Sequence, residues 1–172
     1  AGTDATVTTN EDVSYTFATA DFGFTDPNDS PANTLLAVKI ATLPAAGTLA
    51  LNGVNVTAGQ VVSAADITSG KLVFTPVANR NGTPYTSFTF QVQDNGGVAN
   101  GGVDLDQTPN TITVNVTSVN DAPAGTDATV TTNEDVSYTF AAADFGFTDP
   151  NDSPANTLLD RKSTRLNSSH RT

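Results

Sequence analysis

Apolar and polar residues alternate strictly along several short stretches of the chain. Phe88, Phe90 and Val92 alternate with Thr89, Gln91 and Gln93, and Ile112, Val114 and Val116 alternate with Thr113, Asn115 and Thr117. Leu36, Val38 and Ile40 make a third row. A period of two sends successive side chains to opposite faces, so each row predicts a strand with one face in a core. Leu49 and Leu51 run into Asn52-Gly53, and Val54 and Val56 follow. Asn-Gly accepts the two left-handed positions of a two-residue turn, which predicts a β-hairpin there. Stretches 5–9, 13–17 and 71–75 bring the total to seven or eight strands. Helical character is confined to 63–70, where Ser63 is placed to cap one turn and Gly70 to end it.

Short half-buried strands separated by Gly, Pro, Asn and Asp clusters, in a unit of this size, predict an all-β fold: an antiparallel immunoglobulin-like β-sandwich of about seven strands. Each sheet has one apolar face, and two such faces close on each other to form the core. An internal repeat sets the organisation. Residues 1–36 return at 124–159 with a single change, Thr19 to Ala142, at a period of 123 residues. That period is too long for a solenoid and matches an autonomous domain. The expected division is a complete module with its linker over 1–123 and a truncated second copy over 124–159, carrying the first strands of an identical module. Residues 160–172 have no counterpart in the first copy; they resemble the in-frame translation of a sequencing adaptor and are expected to be non-native.

Composition narrows the chemistry. Of the 172 residues, 18 are acidic and 7 basic, a formal charge of −11. Four of the seven basic residues, Arg161, Lys162, Arg165 and Arg171, and the single His170 lie beyond residue 159, so the body is more acidic than the total suggests. Only Glu11 and Glu134 are glutamates; the other acids are Asp, which prefers turns and loops. Such charge repels phosphates and argues against a nucleic-acid partner. The absence of Cys removes disulfides and thiolate chemistry, and no apolar run is long enough for membrane insertion. No nucleophile elbow, phosphate loop or dinucleotide fingerprint occurs, so an enzyme is not expected.

The acids and their amide neighbours gather in four places: Asn10-Glu11-Asp12, Asp26-Pro27-Asn28-Asp29, Asp94-Asn95-Gly96-Gly97 and Asn120-Asp121-Ala122-Pro123. Each falls at a strand edge, where a sandwich carries its loops. Crowded carboxylates repel unless a cation neutralises them, and Ca2+ takes six to eight oxygen ligands of this type. Zinc would call for His or Cys. Solvated turns also have this composition, so both readings stand at this level.

The run Val119-Asn120-Asp121-Ala122-Pro123 resembles the calcium-binding linker of cadherins. Around it, GTLALNG (47–53), ADITSGKLVFTP (65–76), TSFTFQVQDNGG (86–97) and NTITVNVTSVNDAP (110–123) are similar to the cadherin-like, proteoglycan-type repeats of giant bacterial surface adhesins. The resemblance covers residues 1–159. It implies an extracellular, cell-surface location and an array in which Ca2+ rigidifies neighbouring modules of the same chain. It also implies that Glu11 faces the linker pair Asn120 and Asp121, and that Asp149, Asn151 and Asp152 of the next copy reach the same ions. Asp26, Asn28, Asp29 and Asp94 would face a preceding linker. The Asp-Arg-Glu motif of vertebrate members has no counterpart. The resulting expectation is a non-catalytic, calcium-stiffened spacer in cell adhesion, with a cell-surface glycan or protein as the adhesive target. The alternative is a calcium-dependent carbohydrate- or ligand-binding sandwich, although no Trp is present to stack on a sugar.

Overall fold

The alternating rows become strands, and their apolar members become the core. In the computed structural model, which describes residues 1–159, β1 (Ala5–Asn10), β2 (Tyr15–Thr16), β3 (Leu35–Ile40), β4 (Thr48–Leu51) and β5 (Val54–Asn55) come first. They are followed by β6 (Val61–Ser63), α1 (Ala64–Thr68), β7 (Leu72–Thr75), β8 (Gly82–Asp94) and β9 (Asn110–Thr117). The strands form two sheets, ordered β1-β9-β8-β3-β6 and β2-β7-β4-β5. Both contribute to one buried cluster that includes Val38, Ile40, Phe74, Phe88, Phe90, Ile112 and Val114. The fold is the expected all-β sandwich. Nine strands appear among the described residues where seven or eight were expected, because Val61–Ser63 adds an edge strand to β3.

Local signals act as their chemistry requires. Asn52 and Gly53 adopt φ of 49° and 78° and close the β4–β5 hairpin, with Leu51 opposite Val54. Ser63 accepts the Asp66 N–H at 3.0 Å and so caps α1. The Asp66 carboxylate, bonded to the Lys71 ammonium and the Ser63 hydroxyl, is held below the usual carboxylate range. Aromatic rings meet edge-on in the core, Phe17 against Phe88 of β8 at 5.6 Å and Phe22 against Phe90 of β8 at 5.0 Å between centroids.

One pairing has no local signal. β1 runs parallel to the last strand, β9, in unbroken register from Ala5 opposite Ile112 to Asn10 opposite Thr117. A tight turn at Glu11–Asp12, with Asp12 at φ 60°, then moves the chain from the first sheet to the second, where Tyr15 pairs with Phe74. The expected strands 5–9 and 13–17 therefore belong to different sheets.

The chain divides into two units, Ala1–Val119 and a second beginning at Asn120. The boundary lies four residues before the start of the sequence repeat, because the linker residues are bonded to the loop that follows them, as described below. In the second unit, residues 128–133 repeat the β1 sequence, yet no strand forms among the described residues there. The identical segment lacks the partner that β9 provides in the first unit. What does reappear is local. A 3-10 turn over Ala142–Phe145 copies that over Thr19–Phe22. In both, an Asp carboxylate accepts a backbone N–H at 2.8 Å and a Tyr hydroxyl: Asp21 from Ala18 and Tyr15, Asp144 from Ala141 and Tyr138. Burial raises the Tyr15 hydroxyl pKa above 10.0 with help from the Asp21 charge, whereas at Tyr138 the hydrogen bond to Asp144 is the main cause. Among the described residues no helix is long and apolar enough to cross a membrane. The proposed non-native stretch 160–172 lies outside the described residues.

Candidate functional site

Glu11 is buried although it is an acidic residue in a turn. Its Oε1 accepts the Val119 N–H at 2.6 Å, and its Oε2 accepts the Asn81 side-chain amide at 3.3 Å. Only 3% of the residue remains exposed. A carboxylate tolerates such burial when its oxygens receive donors, and a short charge-assisted bond is the stronger kind. The Glu11 backbone N–H also bonds Thr117 O at 2.9 Å. The β1–β2 turn is thereby fastened to the end of β9, at the point where the chain leaves the module.

The 26–33 loop is organised by its own side chains. Asn33 donates its backbone N–H to Asp26 Oδ2 at 2.7 Å and its side-chain N–H to Asp29 Oδ2 at 2.9 Å. The end of β8 lies alongside, since Thr34 N–H bonds Asn95 Oδ1 at 2.8 Å and Asn95 N–H bonds Thr34 O at 3.1 Å. Asp94 Oδ1 accepts Gly96 N–H at 2.7 Å. Asp29, Asn33 and Asp94 consequently line one open concavity. Asn28 is exposed at the loop tip.

The same loop in the second unit has a linker attached to it. Asn156 N–H bonds Asp149 Oδ2 at 2.7 Å, and its side-chain nitrogen donates to Asp152 Oδ2 at 2.7 Å, as Asn33 does in the first copy. That nitrogen also donates to Asn120 Oδ1 at 2.9 Å, and Asp121 N–H bonds Asp152 Oδ1 at 2.9 Å. Asp149 and Asp152 are only 6% and 9% exposed. Asp149 Oδ1 is buried without a hydrogen-bond partner. Its carboxylate lines a concavity with Asn120, Asp121 and Asn156. A buried carboxylate oxygen without a donor is satisfied by an ordered water or by a cation. All-oxygen ligands, carboxylate and amide, suit a hard ion such as Ca2+.

The structure thus gathers Asn120, Asp121, Asp149 and Asp152 at one place in the second unit, and Asp29 with Asp94 at one place in the first. Asn151 is exposed on its loop, and Asp26 has one oxygen committed to Asn33. Sequence reasoning passed over Asn33 and Asn156, which organise both loops. The signal was present as the spacing Asp-x2-Asp-x3-Asn, which occurs at 26–33 and again at 149–156. Comparison with family models, with curated protein sequences and with solved structures returned no match.

Proposed function

We propose that the chain is a segment of a tandem array of sandwich modules that serves as a non-catalytic, extracellular spacer of a bacterial surface adhesin, with Ca2+ stiffening the junctions. The buried, partnerless Oδ1 of Asp149, a residue that lines one concavity with the linker pair Asn120–Asp121, carries this reading. Asn120, Asp121, Asp149 and Asp152 would hold the ion. Bound there, Ca2+ supplies charge neutralisation and shared oxygen coordination. The near-identical repeat supports a role that works through length, since interchangeable units suffice for a stalk. The parallel pairing of β1 with β9 supports it too, because the chain enters and leaves the module at opposite ends. The chain's own contribution is to fasten the linker to the following loop through Asp152 and Asn156. Without a cation, clustered charge on neighbouring modules repels over about 8 Å at physiological ionic strength, and the array bends at its linkers.

Small-angle scattering from a chain of two complete modules tests the reading. A larger maximum dimension in Ca2+ than in chelator is the expected result, and identical profiles in the two would dispose of the stiffening role.

A further inference from the structure

Asn156 stands where two oxygen-bearing groups converge, and its hydrogens are fully spent on them. The side-chain nitrogen carries two N–H groups; one meets Asp152 Oδ2 at 2.7 Å and the other Asn120 Oδ1 at 2.9 Å. Its backbone N–H adds a third bond, to Asp149 Oδ2. The orientation of the carboxamide is dictated by its neighbours. Asn120 spends its own amide nitrogen on Asp121 O at 2.9 Å, which leaves Asn120 Oδ1 as an acceptor, and an ionised Asp152 accepts only. Turning the amide over would set three oxygens against one another.

From this we infer, building on the cation reading above, that Asn156 is a positioning residue that assembles the linker and loop oxygens before any cation arrives. A neutral amide suits that task. It holds carboxylates at hydrogen-bond distance, yet leaves their charge uncancelled, so the oxygens are gathered while their attraction for a cation is kept. Part of the ordering cost of cation binding is met in advance. The first copy shows the core of the same arrangement: Asn33 makes the equivalent bonds to Asp26 and Asp29. The second side-chain N–H of Asn156, the one on Asn120 Oδ1, is the linker-capturing bond.

The test uses the whole 172-residue chain with Asn156→Ala and Asn156→Asp, reading amide hydrogen exchange in chelator and in Ca2+, together with a calorimetric Ca2+ titration. In chelator, wild type is expected to protect the Asp121 N–H, and both variants to lose that protection by roughly five- to tenfold, the equivalent of about one hydrogen bond. Amides of β8 and β9 report that the first unit still folds. With an added carboxylate, Asn156→Asp is expected to regain protection in Ca2+ and to bind it about tenfold more tightly than Asn156→Ala. A purely structural loss would not be rescued in this way. Unchanged Asp121 protection in Asn156→Ala, or no rescue of Asn156→Asp by Ca2+ that wild type binds, overturns the inference and leaves the cation reading standing. If wild type takes up no Ca2+ while both variants lose protection in chelator, the gathering role holds and the cation reading falls.

Discussion

Phe22 and Phe145 occupy the same position in two copies of one sequence, and their surroundings differ completely. Phe22 is fully buried against Phe17 and Phe90, whereas Phe145 is 53% exposed beside Phe140, itself 60% exposed. Both rings sit on the same 3-10 turn with the same Tyr–Asp bond. What a side chain contributes is therefore set by what lies across from it. Phe22→Ala is expected to destabilise the chain by about 3–5 kcal/mol in urea unfolding, through lost transfer and an unfilled cavity. Phe145→Ala should change it by no more than about 0.5 kcal/mol. Equal losses would mean that the second copy is packed as the first is.

Among elements, those whose cause is local were readable from the residues alone. The Asn52-Gly53 hairpin, the Ser63 cap and the half-buried rows at Phe88–Phe90 and Ile112–Val116 follow from turn chemistry and a period of two. Long-range pairing was not readable. Nothing in the β1 sequence announces β9 as its parallel neighbour, and the same six residues at 128–133 form no strand without such a neighbour. The site divides in the same way: the Asp clusters were visible because their charge is conspicuous, while Asn33 and Asn156 resembled ordinary turn residues. Two glycines test the local causes. Gly47 and Gly53 have φ of 75° and 78°, which any side chain resists. A Cβ at Gly53 would meet nothing within 4 Å, but at Gly47 it would lie 2.5 Å from Phe74 Cζ in the core. Gly53→Ala should cost about 1 kcal/mol from backbone strain, and Gly47→Ala at least about 1–3 kcal/mol more from overpacking. Thermal melts of the pair separate the two contributions.

For the molecule as a whole, charge is the dominant long-range term. A formal charge of −11, with nearly all of the acid before residue 160, opposes compaction. Raising NaCl from about 0.01 to about 1 M shortens the screening length from about 30 to about 3 Å and should raise the melting temperature by about 2–4 °C. Ca2+ at far lower ionic strength should match that rise if specific oxygen ligands take it up. A rise with NaCl and none with Ca2+ would point to general screening alone.

The parallel union of β1 with β9 also decides how the module meets tension. A pull on its two termini draws β1 backward from Ala5 and β9 forward from Thr117, so the strands are asked to slide lengthwise past each other. All six registered pairs then bear the load together, as a lap joint does in shear. An antiparallel arrangement would put both termini at one end and let the bonds peel apart one at a time, like a zip.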